Sequence, residues 1–261
     1  MADKQEITSK VRKQFGDHAQ NYVTSTVHAT GDDLNIILRM AKPQPHHAAL
    51  DIATGGGHTA LKLAPHVKSV VASDITQPML DAAAAFITTQ MDNVTFKLAD
   101  AEALPFEGAT FDIVTCRIAP HHFSDVFKFV LEGTRVLKPG GVLVVQDHDI
   151  PADERAAEYV HVFEKLRDPS HVEMYSAEYW RGTFLDAQLQ IEDMDTDYVQ
   201  HANFKAWHER MSCPPDVVER LTVLLKQAPD AVRAWMEPTA VGTDDATFKH
   251  RYVIMAGRKP A

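Results

Sequence analysis

The sequence predicts an α/β fold, in which a largely parallel sheet is covered by helices on both faces. Between residues 48 and 150, short apolar segments alternate with amphipathic ones, as in a chain that returns through a helix to each new parallel strand. The 261 residues suffice for one large domain of this kind and are few for two. Helical segments at the N-terminus and after residue 150 are predicted to form a cap over this single sheet.

The central alternation is interpreted as strands and helices whose limits are marked by turn residues. Pro78 suits the first turn of a helix, and Lys138-Pro139-Gly140-Gly141 is a strong stop after another. The predicted strands are 49–53, 69–73, 94–98, 111–116 and 141–147, and the predicted helices are 59–64, 78–89 and 126–136.

The chain after residue 150 has a different pattern. Two late strands about forty residues apart can pair antiparallel at one sheet edge, with the helices between them as a lid. The predicted helices are 152–166, 177–187 and most of 204–236, and the predicted strands are 191–199 and 247–258. We therefore expect a helical lid over 1–40, a ligand-binding core over 41–150, and the rest of the sheet with its cap over 151–261.

Charge and cysteine content restrict the class of protein. The formal net charge is -10 and no run of Lys and Arg exceeds a pair, which disfavours a nucleic-acid partner. Cys116 and Cys213 lie in no disulfide framework or zinc spacing, so a reducing cytoplasm is expected. The polar N-terminus lacks the apolar stretch of a signal peptide, and no segment is expected to enter a membrane.

The strongest local motif is Leu50-Asp51-Ile52-Ala53-Thr54-Gly55-Gly56-Gly57-His58, a strand that runs into a glycine turn and then a helix. Glycine is needed where the backbone adopts a positive φ or must approach a ligand closely. The spacing Gly55-x-Gly57-x-x-Ala60 also fits the fingerprint of dinucleotide-binding folds. The motif therefore predicts a nucleotide site without choosing between cofactors.

Asp74 closes the second predicted strand, seventeen residues after Gly57. A carboxylate at this position can accept two hydrogen bonds from the ribose hydroxyls of either kind of cofactor. The alternative is a capping role for the helix that starts near Pro78. Ile75 and Met79 are expected to form apolar walls around an adenine, or to be ordinary core residues.

The segment after the third strand separates the cofactor alternatives. Asp100 can accept from the amino group of an adenine and the Ala101 amide can donate to its ring, with Glu102 beside them. Hydride chemistry would call for a Tyr-x-x-x-Lys pair after the fourth strand, but Tyr159 is followed four residues later by Phe163. These residues favour a cofactor that has an adenosyl group and no nicotinamide.

Taken together, the motifs resemble class I S-adenosylmethionine-dependent methyltransferases of the ubiquinone/menaquinone-biosynthesis type. Two further runs, 117–126 and 167–172, are similar to the YcgJ-like methyltransferases of bacilli. The motifs that carry the wider resemblance are Asp51-x-Ala53-x-Gly55-x-Gly57, Asp74, Asp100-Ala101-Glu102-Ala103-Leu104-Pro105-Phe106, Phe111-Asp112-Ile113-Val114 and Arg135-Val136-Leu137-Lys138-Pro139-Gly140-Gly141.

The resemblance implies a Rossmann-like sheet of seven strands, the last one antiparallel, with S-adenosylmethionine bound across its carboxyl edge. It places Asp51, Ala53, Thr54, Gly55 and Gly57 around the methionine part, Asp74 at the ribose, Asp100 and Ala101 at the adenine, and the Cys116 carbonyl at the amino group. This sequence departs from the family at the turn, where Gly56 has no side chain and His58 stands near an expected carboxylate.

Three histidines follow the ends of the fourth and fifth predicted strands and are candidate general bases. His121, His122 and His148 would lie near the reactive methyl, where an imidazole can take a proton from a phenol or enol hydroxyl. The alternatives are helix capping or core packing for one of the adjacent pair and a hydrogen-bonded strand end for His148. A metal site of His121, His148, His171 and Asp147 is a further alternative. We disfavour a metal because no helix carries two ligands four residues apart and no cysteine joins the set.

Aromatic residues are expected at the cover of the site. Phe15 and Tyr22 would face the cofactor if the N-terminal helix closes over it, or else pack in a core. Trp180, Trp207 and Trp235 lie in the predicted cap and favour a flat, apolar acceptor.

The resulting expectation is an S-adenosylmethionine-dependent O- or C-methyltransferase acting on a small-molecule acceptor. Two alternatives remain open at this stage, namely a nicotinamide-dependent oxidoreductase and a protein that binds the cofactor without catalysis. The sequence also leaves open whether the chain forms a homodimer.

Overall fold

A computed structural model describes residues 4–23 and 31–261, with side chains described for residues 4–16 and 31–261. Its strands, β1 to β8 in chain order, form a sheet in the order β3-β2-β1-β4-β5-β8-β6, and β7 also pairs with β8. The strands are Ala48–Ile52, Ser69–Asp74, Val94–Leu98, Phe111–Arg117, Leu137–His148, Gln190–Asp195, Val199–Asn203 and Thr247–Arg258.

The first five strands run parallel, which confirms the α/β prediction. Their central members are buried on both faces, as parallel strands covered by helices must be, and Leu50 and Val114 have no exposed surface. The final strand, β8, pairs antiparallel with β5, for example Gln146 opposite Ile254. This reversal is the one that the resemblance implied for the last strand.

The sheet has eight strands in the described chain, where the resemblance implied seven. The segment 191–199, expected as one strand, is divided into β6 and β7 because the Asp195 carboxylate accepts the N–H groups of Asp197 and Tyr198 at 3.0 and 3.1 Å. These bonds turn the chain, so β6 pairs with the end of β8 and β7 with its beginning.

The predicted helix stop at 138–141 is confirmed, since the helix ends at Val136, but the next strand begins before the predicted residue 141. Strand β5 begins at Leu137, directly after a helix that ends at Val136. Gly140, with φ +76°, lies in an irregular stretch of pairing between β4 and β5. The proline and glycines therefore form part of the strand and not a loop before it.

Side-chain caps explain where several helices begin. Asp125, Asp153, Ser176 and Asn203 each accept a hydrogen bond from a first-turn N–H. Within the described ranges, no helix is long and apolar enough to cross a bilayer. The helices, α1 to α10, are Lys4–Val23, Asp33–Ala41, His58–Leu63, Gln77–Ile87, Val126–Val136, Glu154–Arg167, Ala177–Asp186, Phe204–Glu209, Pro215–Lys226 and Asp230–Met236.

Three apolar clusters hold the described chain together. Two cover the opposite faces of the sheet, because neighbouring residues of one strand such as Ala49 and Leu50 belong to different clusters. The third lies in the late helical region, where the rings of Phe163 and Trp207 stack at 4.9 Å and Phe248 meets Trp207 edge-on at 5.0 Å. The cap thus has a core of its own.

Candidate functional site

A cleft of about 1080 Å³ lies at the carboxyl ends of β1, β2, β3 and β4. The segments that leave these four strands provide most of its lining, as expected for a ligand site at the edge of a parallel sheet. The glycine turn and the carboxylates that follow β2 and β3 therefore face one cavity. The predicted residues among its lining are Asp51, Ala53, Thr54, Gly55, Asp74, Ile75, Met79, Asp100, Ala101, Glu102 and His122.

The two glycines of the turn that have a positive φ play different roles. Gly55 has φ +52°, and a Cβ built on it would meet no atom within 4 Å, so its backbone faces the open cleft. Gly57 has φ +85°, and a Cβ there would lie 2.6 Å from Ile87 Cδ1 and 3.2 Å from Ala83 Cβ. Gly57 lies outside the cleft lining and is required for helix packing.

Asp51 lies at the base of the cleft with both carboxylate oxygens held by hydroxyl groups. Thr54 Oγ1 donates to one oxygen at 2.6 Å, and Thr115 Oγ1 donates to the other at 2.7 Å. Burial raises the pKa of this carboxyl to about 6. The two threonines orient a carboxyl group that also lines the ligand space.

Asp74 connects the glycine turn with the next helix. One oxygen accepts the Gly55 N–H at 3.1 Å, and the other accepts the Thr76 N–H at 2.9 Å. Burial raises the pKa of its carboxyl to about 6. The residue thus stabilises the local backbone and still lines the cleft, so both interpretations of Asp74 describe contacts that one carboxylate can make.

The segment after β3 is held by charged groups. Asp100 accepts the Glu102 N–H at 2.9 Å, and its other oxygen lies 2.9 Å from Lys4 Nζ. Glu102 accepts the N–H and the hydroxyl of Ser124 at 2.7 and 2.8 Å and lies 2.8 Å from the same ammonium. Lys4, which the sequence gave no reason to select, therefore ties α1 to the cleft edge.

One face of α1 covers the cleft. Ile7, Thr8, Val11 and Phe15 line it, and their spacing of one, three and four residues is that of a single helical face. Ile7, Thr8 and Val11 were not predicted from the sequence, although their helical spacing with Phe15 was a signal that could have identified them. The predicted contact of Tyr22 falls on a side chain outside the described residues.

Arg117 is a further lining residue that the sequence argument missed. Its Nε donates to Asp33 Oδ2 at 2.7 Å, and both side chains are almost fully buried. Cys116, one residue earlier, is fully buried within β4 and lies outside the cleft lining, and burial raises the pKa of its thiol. The contact expected of its carbonyl stays a prediction.

A second cavity, of about 890 Å³, adjoins the cleft. Phe15, Ile118 and His122 line both spaces, so they mark the junction. The residues that line only the second cavity are His121, His148, Arg167, Asp168, Gln200, His201, Ala202, Asn203, Ala206, Trp207, Arg210, His250 and Tyr252. The three predicted histidines therefore meet beside the cleft, one at the junction and two beyond it.

The His122 ring is oriented by the loop after α6. Its Nδ1 lies 3.1 Å from the Ser170 carbonyl oxygen, which can only accept, so Nδ1 carries the hydrogen. In the neutral form of this ring the lone pair would be on Nε2, which lies 3.9 Å from Asp168 Oδ2. Asp168 is itself held by the Ser170 N–H and hydroxyl at 2.9 and 2.6 Å.

His121 forms a pair with Asp147 at the end of β5. Its Nδ1 lies 2.6 Å from Asp147 Oδ1, and its backbone N–H donates to the other oxygen at 2.7 Å. Burial lowers the pKa of His121 well below its usual value and raises that of Asp147 to about 6. A neutral His121 with hydrogen on Nδ1 would present the lone pair of Nε2.

His148 lies among other rings, and burial lowers its pKa as it does that of His121. Its ring centroid lies 5.1 Å from that of His121, 4.9 Å from that of His250 and 4.7 Å from that of Tyr252. Burial, followed by the neighbouring His250, lowers its pKa to about 3, which makes it a weak base. Among the described residues, no three His, Cys, Asp or Glu side chains are arranged to hold a metal.

Comparison with known proteins places this geometry among methyltransferases. A family model described as a methyltransferase domain matches residues 50–145. The chain is 37% identical over 220 residues to the uncharacterized methyltransferase YcgJ of Bacillus subtilis, covering 84% of this chain and 87% of that protein. The crystal structure of YcgJ from the same organism superposes with a TM-score of 0.81 at 34% identity, over 87% of this chain and 98% of that chain.

A more distant relative bears a substrate name. The demethylmenaquinone methyltransferase of Deinococcus radiodurans is 34% identical over 159 residues, which is 58% of this chain and 66% of that protein.

Proposed function

The chain belongs to the S-adenosylmethionine-dependent methyltransferases, and on this premise we propose that it methylates an oxygen or carbon atom of a small acceptor held in the second cavity. The observation that carries the proposal is the position of His122, which lines both the cofactor cleft and the second cavity. A base at that junction lies where an acceptor could lose a proton as it receives a methyl group.

The charge of the cleft suits this cofactor. Its described lining includes the carboxylates of Asp51, Asp74, Asp100 and Glu102 and one guanidinium, that of Arg117, already paired with Asp33. When bound, S-adenosylmethionine supplies a methyl group on a positively charged sulfur, for in-line displacement. A nicotinamide dinucleotide would bring two negative phosphates into the same acidic cleft, which disfavours the oxidoreductase alternative.

We assign the cofactor contacts by position around the cleft. Asp74 would accept from the ribose hydroxyls, Asp100 and Ala101 would hold the adenine edge, and Ile75 and Met79 would contact its faces. The open space at Gly55, where a side chain would intrude, suits the methionine part together with Asp51, Ala53 and Thr54. In this assignment Gly57 and Glu102 position the backbone around the ligand.

At the acceptor end, two imidazoles can hold a proton. His122 would take it at Nε2, with Asp168 near enough to stabilise the imidazolium that results. His121 is the second candidate, because Asp147 fixes its ring and would stabilise the protonated form. His148 lies among the rings of His121, His250 and Tyr252, which leaves it a packing role in this proposal.

The shape of the cap limits what the acceptor contacts. Of the three tryptophans, Trp207 lines the second cavity, whereas Trp180 is buried in a sheet-face cluster and Trp235 lies under Arg251. Most other side chains in the described lining are polar. We therefore propose an acceptor with one flat portion and several polar groups, and not a wholly apolar one.

Substitution of His122 tests the proposal. Methyl transfer from labelled S-adenosylmethionine is measured across a panel of phenols and enols for the parent, His122→Ala and His121→Ala. Loss of the base should lower turnover by about 10²–10⁴-fold, while the Kd for S-adenosylhomocysteine, measured by calorimetry, stays within about twofold of the parent. His66→Ala, at an exposed position, is the control. Parental turnover in both cavity variants would show that the imidazoles are structural.

A further inference from the structure

Two arginines in this chain make the same contact with a tryptophan. Arg167 Cζ lies 4.6 Å from the centroid of the Trp207 ring, and its Nε donates to the Trp207 carbonyl at 3.1 Å. Arg251 Cζ lies 5.1 Å from the centroid of the Trp235 ring, and its Nε donates to the Trp235 carbonyl at 3.0 Å. In each case the tryptophan ring lies against the guanidinium and its carbonyl accepts from Nε. The outer edge, formed by the two terminal amino groups, is left to bind another group.

The outer edges differ. That of Arg251 donates to Glu237 Oε1 at 3.1 Å. For Arg167, no carboxylate oxygen of the described side chains, residues 4–16 and 31–261, lies within the 4.0 Å limit of an ion pair. The nearby acids have other partners, since Asp168 accepts from Ser170 and Glu164 lies 2.9 Å from His250 Nε2.

Arg167 faces a space whose described lining has more arginine than carboxylate side chains. It lines the second cavity with Arg210, and Asp168 is the one carboxylate in the described part of that lining. His121 and His148 add no charge near neutral pH, because burial lowers the pKa of both imidazoles. The cofactor cleft next to it has the opposite balance of charge, with four carboxylates.

We propose that Arg167 binds a carboxylate group of the methyl acceptor, in the place that Glu237 takes at Arg251. This deepens the proposed function and rests on the second cavity being the acceptor site. A guanidinium presents parallel N–H groups that match the two oxygens of a carboxylate, and one held by a ring and a carbonyl loses little freedom on binding. At Arg251 a carboxylate oxygen already accepts from a terminal amino group of the guanidinium, at 3.1 Å.

The position of Arg167 also bounds the size of the acceptor. Asp168, the next residue, has an oxygen 3.9 Å from His122 Nε2. The carboxylate end and the methyl-accepting end of the acceptor thus lie near consecutive residues of one turn. This arrangement fits a small hydroxy acid or enol acid, with its carboxylate at Arg167 and its accepting oxygen or carbon at His122.

Binding of two matched probes tests the assignment. The protein loaded with S-adenosylhomocysteine is titrated with benzoate and with benzamide, which has nearly the same shape and no charge. We expect saturable benzoate binding about tenfold or more tighter than benzamide binding, because a charge-assisted bidentate contact is absent from the amide. Arg167→Met, which keeps an apolar stem over Trp207, should weaken benzoate binding about tenfold and leave benzamide binding unchanged.

Arg251→Met is the control, because it removes the same arginine–tryptophan contact outside the second cavity. It should bind benzoate as the parent does. The assignment is overturned if benzoate binds no better than benzamide, if no saturable binding occurs below about 50 mM, a limit set well above millimolar affinity, or if Arg167→Met binds benzoate normally.

Folding of each variant is checked by its affinity for S-adenosylhomocysteine, which binds in the other cleft. Should Arg167→Met lose that affinity, Arg167→Lys replaces it, since lysine keeps the charge and lacks the planar pair of donors. That variant should lose part of the benzoate affinity, and full affinity would contradict a bidentate contact. Turnover of His122→Ala tests only the proposed base, and benzoate binding tests only the proposed carboxylate site at Arg167. Failure of one assignment can therefore be distinguished from failure of the other.

Discussion

The cofactor cleft and the second cavity lie side by side but are built in different ways. The cleft takes its lining from strand ends between residues 51 and 124 and from one face of α1. The second cavity is lined by Ile118, by the adjacent His121 and His122, and by residues from α6, β7, α8 and β8. Its lining residues are therefore spread along the sequence as far as Tyr252. Most residues that line the cleft lie in short sequence motifs, whereas those that line the second cavity come from segments that are distant in the sequence.

The cleft and the second cavity also differ in the charge of the side chains that line them. The described lining of the cleft has four carboxylates, which suits a sulfonium cofactor, and that of the second cavity has two arginines and one carboxylate, which suits an anion. The contrast teaches that one ligand space can be built from backbone turns and strand ends, whereas its neighbour is lined mainly by residues of the cap. The following variants test each half of this contrast.

The largest effect on the free energy of unfolding is expected at the glycine turn, where backbone geometry forms part of the cleft. Gly57→Ala should lower the free energy of unfolding by about 2–4 kcal/mol, since it forces a positive φ and a contact with Ile87. Gly55→Ala should cost only about 1–2 kcal/mol, the cost of the positive φ alone. Denaturant unfolding measures both values.

The same pair separates stability from binding. Gly55→Ala places a methyl group in the cleft and should weaken S-adenosylhomocysteine binding more than its stability loss suggests. Equal losses of stability in the two variants would contradict the division of roles between these glycines.

Asp74→Asn removes the charge that the ribose hydroxyls are proposed to meet. The Kd for S-adenosylhomocysteine should rise by roughly 10- to 100-fold, corresponding to about 1.5–3 kcal/mol for hydrogen bonds to a charged group. Asp112→Asn is the matched control, because Asp112 contacts the Ala48 N–H and Lys138 at the opposite edge of the sheet. Equal affinity in the parent and Asp74→Asn would remove the ribose assignment.

The second cavity can be examined through the pH dependence of stability. The pKa of His148 is lowered to about 3, so the folded protein binds fewer protons than the unfolded chain below pH 6.5. Stability from this residue is therefore present above pH 6.5 and lost as the pH falls towards 3. His148→Gln removes this loss, and its stability relative to the parent should improve by about 2 kcal/mol between pH 7.5 and 5.

Tyr252→Phe is the control for this measurement. Burial raises the pKa of the Tyr252 phenol, so the group stays neutral throughout that pH range. Its stability difference from the parent should not change with pH. A difference between His148→Gln and the parent that is also constant would mean that the imidazole is not buried as described.

The smallest effect concerns the edge of the cleft. Lys4 is about two-fifths exposed where it meets Asp100 and Glu102, so its ion pairs contribute no more than about 1 kcal/mol. Lys4→Met should speed dissociation of S-adenosylhomocysteine by about two- to fivefold, less so at high salt. Lys10→Met breaks the Lys10–Glu6 pair on the same helix and should leave the rate unchanged. Equal rates in all three proteins would argue against α1 as a cover.

Much of the cofactor site could be predicted because its signals are local. The helix Val126–Val136 and the strands Val94–Leu98 and Thr247–Arg258 match their predicted limits, and the carboxylates after β2 and β3 face the cleft with the glycine turn. In a parallel sheet the carboxyl ends of neighbouring strands meet at one edge, so a short motif at a strand end already implies its position. The division of 191–199 into two strands was missed because one Asp195 side chain turned the chain.

The sequence by itself determined the parallel sheet, the glycine corner and the carboxylates at the edge of the cleft, since each depends on neighbours within a few residues. Only the tertiary structure decided that His122 joins two cavities, that Asp147 orients His121, and that Arg167 and Arg251 make matching contacts with different outcomes. The contacts of His121, Arg167 and Arg251 join residues 26, 40 and 16 positions apart. Pairing of β4 with β5 brings His121 to Asp147, and packing in the cap brings each arginine to its tryptophan.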